Sequence, residues 1–276
     1  MNRLPQKMSE LIKNKRKALA MFVTAGYPTI DLTPQIVFEL EKAGADIIEL
    51  GIPFSDPIAD GPVIQIASQV ALNNGVTITK ICEIVRDIRL FSNIPIVLMG
   101  YYNPIYCYGV EKFLDAAANA GVDGLVVADL PLEEADNFRR SASAKNISHI
   151  FLAAPTTSDI RLVELDNATS GFLYCVSTTG TTGIRNNVTA EAVEYLLRCK
   201  QFVKNNPILV GFGISSGADV RNISRYADGV IVGSSLIEII KNNYGDGQNN
   251  IMLEEVRNFV IKLRISLNDG ANNEAG

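Results

Sequence analysis

The chain has 276 residues, 47% of them hydrophobic, and carries 25 Lys and Arg against 30 Asp and Glu. A chain of this length buries roughly three quarters of the surface its unfolded form exposes, which is enough for one large core, and α/β barrels commonly fill about 250 residues as a single domain. The formal net charge of −5, with Lys13-Asn14-Lys15-Arg16-Lys17 as the one dense basic run, argues against nucleic acid as the main partner.

In chain order, a polar N-terminal segment without a hydrophobic signal core leads into a predicted helix at Pro5–Lys15. A first apolar strand follows at Leu19–Thr24, then a helix at Thr33–Ala43 with Ile36, Val37, Leu40 and Ala43 on one face. Gly44 stops that helix where left-handed backbone is needed, and a second strand begins at Asp46 and runs to Leu50. The pattern then repeats. Strands are predicted at Ile94–Met99, Gly124–Ala128, His149–Ala153, Phe172–Val176, Ile208–Gly211 and Gly229–Val232. Helices are predicted at Thr79–Leu90, Glu111–Ala120, Leu132–Ala144, Asp159–Leu165, Ala190–Lys204, Gly217–Arg225 and Glu254–Leu267, with a further one opened by Ser234 and Ser235. The turns Ala43-Gly44-Ala45-Asp46 and Ala120-Gly121-Val122-Asp123 match each other, and Tyr226-Ala227-Asp228-Gly229 is a variant of them. Residues 268–276 are small and polar and are expected to fray.

Eight nearly continuous apolar strands alternating with helices predict a closed, parallel (β/α)8 TIM barrel, a single domain with an extra N-terminal helix. An open Rossmann-like sheet is disfavoured because no G-x-G-x-x-G follows the first strand. No apolar stretch reaches the 18 or so residues that would span a membrane. Cys82, Cys107, Cys175 and Cys199 form no metal spacing and fit a reducing compartment, with Cys175 a buried thiol. The sole histidine, His149, cannot build a multi-histidine metal centre and is expected to be a satisfied structural residue.

In such a barrel the chemistry sits at the carboxyl ends of the strands. Glu49 leaves the second strand there, and the Pro- and Gly-rich loop after it holds Asp56 and Asp60. A glutamate desolvated by its strand holds a proton more readily, while acids in a wetter loop stay ionised, and that split is a general acid–base pattern. A structural ion pair for Glu49, and plain loop roles for Asp56 and Asp60, are the alternatives. Asp129 is read as a turn residue and Asp46 as part of the opposite, stabilising face. Three Gly-rich segments follow adjacent strands: Ser177–Gly183, Gly211–Gly217 and Gly233–Ser235. Together they suit a phosphate group, since glycine admits close backbone approach and helix N-termini favour anions. No strand interior or exit carries a lysine, which argues against a Schiff-base aldolase.

The run from Glu49 to Gln65, together with Phe22–Pro28, Met99–Pro104, Val127–Pro131, Tyr174–Gly183 and Gly211–Ser215, resembles the tryptophan synthase alpha chain family in the same order along nearly the whole chain. The resemblance implies retro-aldol cleavage of indole-3-glycerol phosphate to indole and glyceraldehyde 3-phosphate. It implies Glu49 and Asp60 as catalytic residues, Gly183, Gly213, Gly233 and Ser234 as phosphate ligands, and Phe22, Met99, Tyr101, Val126 and Tyr174 as the indole pocket. Thr182 is implied in loop closure. No cofactor or metal is expected in this chain; pyridoxal phosphate belongs to the expected partner, a tryptophan synthase beta chain, in an α2β2 heterotetramer. The docking face is expected on the Pro53–Pro62 loop and Tyr102–Tyr108. Gly100 and Thr181 depart from the family pattern, where Thr or a small aliphatic residue and Val are commoner. A stand-alone lyase and a non-catalytic activator of a beta chain are the alternatives, and a bacterial cytoplasm or a plastid stroma is the expected location.

Overall fold

A computed structural model of the chain describes residues 2–176, 189–211, 213–245, 247 and 249–272. Its strands are β1 (Ala18–Thr24), β2 (Ile47–Gly51), β3 (Ile96–Gly100), β4 (Gly124–Val127), β5 (Ser148–Ile150), β6 (Leu152–Ala153), β7 (Leu173–Val176), β8 (Ile208–Gly211) and β9 (Gly229–Val232). They form one sheet in the order β5-β4-β3-β2-β1-β9-β8-β7-β6, parallel throughout. Only Phe151 separates β5 from β6 in the chain, so the sheet closes on itself. The fifth strand expected from the sequence is therefore broken into two short ladders. At the break the Phe151 carbonyl accepts the Tyr174 N–H at 3.1 Å and its own N–H donates to Thr169 Oγ1 at 3.3 Å.

The helices are α1 (Arg3–Lys13), α2 (Leu32–Lys42), α3 (Pro62–Asn73), α4 (Ile78–Arg89), α5 (Tyr102–Tyr108), α6 (Val110–Ala120), α7 (Asp136–Ala144), α8 (Asp159–Ala168), α9 (Ala190–Phe202), α10 (Gly217–Ser224), α11 (Ser234–Asn243) and α12 (Asn249–Asn272). Two of them, α3 and α5, were not expected. The first has Pro62 in its opening turn after Gly61, where the missing N–H costs nothing, and buries Ile64, Ala67 and Ala71 on one face. The second is a short helix whose first N–H, at Tyr102, donates to Asp129 Oδ1 at 2.7 Å, so Asp129 caps this neighbouring helix rather than its own turn. Helix α7 begins at Asp136 rather than Leu132, because residues 132–134 form a turn after Pro131. Helix α12 continues to Asn272, beyond the expected end at Leu267.

The core is continuous from the barrel interior to the inner helix faces. At the amino ends of the strands three acids repeat one device. Asp46 Oδ2 accepts the Leu19 N–H at 3.0 Å, Asp123 Oδ2 the Ile96 N–H at 3.0 Å and Asp228 Oδ2 the Ile208 N–H at 2.8 Å. Each acid enters its own strand and latches the start of the neighbouring one, which is why the Gly-x-Asp turn occurs twice and its variant Tyr226-Ala227-Asp228 once. Asp123 also pairs with Arg89 at 2.8 Å and Arg3 at 3.0 Å, and Asp46 pairs with Arg264 and Arg16. This floor leaves the carboxyl ends free for chemistry. His149 lies outside the site, ring-edge against Phe138 and Phe151 at 5.4 and 4.4 Å. Neither of its ring nitrogens has a hydrogen-bond partner among the described residues, contrary to the satisfied histidine expected. Burial first, and then the Arg139 charge, push its pKa down to about 4, so the ring is neutral. Cys175 is buried as expected, its thiol 3.8 Å from that of Cys199.

Candidate active site

The parallel register sets Phe22, Glu49 and Val97 side by side across β1, β2 and β3, with Gly51, Met99, Val126 and Ile150 aligned one layer nearer the carboxyl ends. Above them opens a cavity enclosing about 430 Å³ between atoms, part of it open to solvent. Its walls bring together Phe22, Glu49, Asp60, Met99, Tyr174, Gly213, Gly233 and Ser234, joined by Ile64, Ile214 and Ile231, which sequence reasoning did not single out. A smaller recess shares Phe22, Asp60, Ile64 and Met99 and adds Tyr101. Val126 is fully buried beside Met99 and lines neither space. Gly183, Thr182 and Thr181 lie outside the described residues.

Two glycines let the aromatic walls close in. A Cβ on Gly51 would stand 2.7 Å from the Phe22 ring, and one on Gly211 would stand 2.4 Å from the Tyr174 hydroxyl. The departure at Gly100 has the same logic: a Cβ there would stand 2.9 Å from Ile52 Cβ, so Ile52 fills the space a larger residue would need.

Glu49 is 2% exposed, and neither carboxylate oxygen has a hydrogen-bond partner among the described residues. The described residues thus supply no ion pair for it. Burial, and then the negative charge of Asp60, push its pKa up to about 8. Of the two loop acids, Asp56 is exposed, but Asp60 is only 9% exposed, which corrects the expectation of a wet setting. The loop folds back over the barrel and carries Asp60 into the cavity wall. Burial raises the Asp60 pKa to about 6, opposed by a hydrogen bond from the Tyr101 hydroxyl. The two values still fall on either side of neutrality, so Glu49 holds its proton while Asp60 is ionised. Burial raises the Tyr174 pKa well above the usual range, and the charges of Glu49 and Asp60 add to it, so that hydroxyl stays neutral beside both acids.

The other end of the cavity is bounded by the start of a helix. Helix α11 begins at Ser234 behind the N-cap Gly233, and no side chain caps it. Gly233 and Ser234, at its start, line the cavity, and helix N-terminal donors with the helix dipole favour negative charge. The neighbouring α10 instead spends its donors on a capping box between Ser216 and Asp219. Gly213, in the left-handed region at φ 76°, turns the chain between β8 and α10 and lines the same cavity. Among the described residues no cluster of His, Cys, Asp and Glu has the makings of a metal site, and no helix is long and apolar enough to cross a membrane.

Known proteins resemble this chain over nearly its full length. Residues 8–265 match the family described as tryptophan synthase alpha chain. The tryptophan synthase alpha chain of Petrotoga mobilis is 47% identical over 259 residues, covering 94% of this chain and 99% of that one. The protein of the same description from a Thermoanaerobacter species is 46% identical over 264 residues, covering 96% and 99%. The crystal structure of tryptophan synthase subunit alpha from Legionella pneumophila superposes with a TM-score of 0.89 at 36% identity, covering 98% of this chain and 99% of that one. A chain of Mycobacterium tuberculosis tryptophan synthase superposes with a TM-score of 0.86 at 34% identity, covering 96% and 98%. By barrel, cavity and sequence alike, the chain belongs to the tryptophan synthase alpha chain family.

Proposed function

We propose that the chain cleaves indole-3-glycerol phosphate in a retro-aldol reaction, releasing indole and glyceraldehyde 3-phosphate. The observation that carries this reading is one cavity holding a protonated Glu49, an ionised Asp60 and an uncapped helix N-terminus. Phe22, Met99 and Tyr174 supply the flat apolar walls for an indole ring, and Gly213, Gly233 and Ser234 flank the position for the phosphate, with Gly183 as a further ligand. Glu49 delivers its proton to ring carbon C3, turning the indole into an indolenine cation. Asp60 accepts the ring N–H and offsets the charge that develops there, an interaction stronger in the transition state than in the ground state. Glu49, now a carboxylate, takes the proton of the hydroxyl on the carbon attached to C3. The carbon–carbon bond breaks, its electron pair restores the aromatic ring, and that carbon leaves as an aldehyde. One proton is given and one returned, so the enzyme is regenerated. Thr182 serves closure of the site.

Glu49→Gln and Asp60→Asn test this directly. Each is expected to lower kcat by roughly 10²–10⁴-fold with unchanged circular dichroism. Near-normal turnover in either purified variant sinks the assignment.

The partner in this reading is a tryptophan synthase beta chain, which holds pyridoxal phosphate and consumes the indole, in an α2β2 assembly; this chain needs no cofactor for its own step. An open groove beside the active site, lined by Pro53, Phe54, Pro104, Cys107 and Tyr108 among others, supports docking on the expected face. The relatives are bacterial, and we assign the reaction to the cytoplasm. Indole release measured with and without the beta chain tests the partnership.

A further inference from the structure

Asp60 sits in a loop whose tip faces solvent, with Ile58 78% exposed, yet Asp60 itself is almost enclosed. Something must hold the carboxylate there, and the structure offers one post. Tyr101 leaves β3 at the carboxyl end of the barrel and is 4% exposed. It touches the loop three times. Its ring packs against Phe54 with centroids 5.4 Å apart, its oxygen accepts the Ala59 N–H at 3.0 Å, and it lines one recess together with Asp60. Gln65 adds a fourth tie by donating to the Asp60 carbonyl at 2.8 Å from the first turn of α3.

We propose that Tyr101 is a positioning residue for this reaction: its oxygen accepts the Ala59 N–H, its O–H serves the Asp60 carboxylate as a hydrogen-bond donor while keeping its proton, and so it fixes that carboxylate over the cavity for the ring N–H of the substrate. The inference rests on the reading of Asp60 given above and assigns Tyr101 a role other than ring-pocket wall. The groups that face Asp60 are consistent with it. Glu49 reaches it from β2 and Tyr174 from β7, while Asp129, after β4, bears on Tyr101. Of these, Tyr101 is the one whose hydrogen bond favours the charged form of Asp60. Burial, and then the Asp60 charge, push the Tyr101 pKa up, so the phenol keeps its proton and remains a donor.

The test is Tyr101→Phe in the full-length chain, alone and with a beta chain. The ring and its contact with Phe54 are kept and only the hydroxyl is removed. Steady-state indole release is measured from pH 5 to 9. The expected loss in kcat is roughly ten- to hundredfold, the worth of one hydrogen bond to a charged group. KM should change by less than about threefold, because the phosphate end still anchors the substrate. The acid limb of kcat/KM should move to higher pH, since the lost donor favoured ionised Asp60. Wild-type kcat, or a reduced kcat with an unmoved acid limb, overturns the proposal. If the Phe variant does not fold, 3,5-difluorotyrosine at position 101 keeps the shape and makes the hydroxyl a stronger donor. The acid limb should then move to lower pH, and an unmoved limb overturns the proposal. Asp60→Asn run in parallel separates the two levels: an active Asp60→Asn sinks the functional reading, whereas an inactive one beside an unaffected Tyr101→Phe sinks this inference alone.

Discussion

Glu49 makes the enzyme less stable as the pH rises, and replacing it should show by how much. In the folded chain its pKa stands at about 8 against an ordinary 4.5, with burial as the first cause. Below pH 4.5 both folded and unfolded states hold the proton, and the full stability is present. As pH rises, the unfolded chain releases the proton first and the folded chain must either keep it or ionise a buried group. Stability therefore falls from pH 4.5 upward and levels off above about 8. At about 1.4 kcal/mol per pH unit, that window is worth about 5 kcal/mol, a large part of the roughly 5–15 kcal/mol that holds a domain folded. Glutamine has the shape of the protonated side chain and does not titrate. Glu49→Gln should match the wild type in urea unfolding near pH 4.5, exceed it by about 3 kcal/mol at pH 7, and by about 5 kcal/mol at pH 9. Parallel pH dependences in the two proteins would refute the reasoning, because Glu49 would then titrate alike in both states.

Other outcomes follow from the same geometry. The kcat/KM for indole release should trace a bell, rising through about pH 6 as Asp60 ionises and falling through about pH 8 as Glu49 loses its proton; an alkaline limb absent up to pH 9.5 contradicts Glu49 as the acid. Asp123→Ala removes the partner of Arg89, whose side chain is 11% exposed, together with the acceptor for the Ile96 N–H. It should cost about 3–5 kcal/mol in urea unfolding and leave kcat of the folded fraction unchanged, since Asp123 sits at the floor. Ile58 and Tyr106, 78% and 67% exposed, belong to the two segments expected to dock, Pro53–Pro62 and Tyr102–Tyr108. Ile58→Asp and Tyr106→Asp should weaken activation by a beta chain at least tenfold in titrations, with indole release by the chain alone little changed; undiminished activation in both would move the docking face elsewhere.

Much of the barrel was legible in the sequence because each strand buried on both faces reads as a short apolar run. Boundaries failed where tertiary contacts overrode local pattern. The fifth strand breaks at Phe151 because its N–H is taken by Thr169 rather than a neighbouring strand. Helix α5 forms where Asp129, from the next strand's exit, catches its first N–H. Helix α3 carries a usable local signal, Pro62 after Gly61 ahead of Ile64, Ala67 and Ala71. The aligned Gly-x-Asp turns were visible as a repeat, but not their purpose as latches between strands.

For the site, the sequence by itself determined the inventory: Glu49 at a strand exit, Asp56 and Asp60 in the loop after it, glycine turns before later helices, and no lysine or histidine cluster to compete. It could not say which loop acid enters the cavity, nor that Glu49 would stand without a hydrogen-bond partner among the described residues. Those were decided by the closed barrel, which sets Tyr101 and Tyr174 against acids distant from them in the chain and removes water from Glu49. The physical reason is that a carboxyl group's proton affinity is set by its surroundings, the dielectric, the nearby charges and the hydrogen-bond donors, and in this chain the barrel alone assembles them.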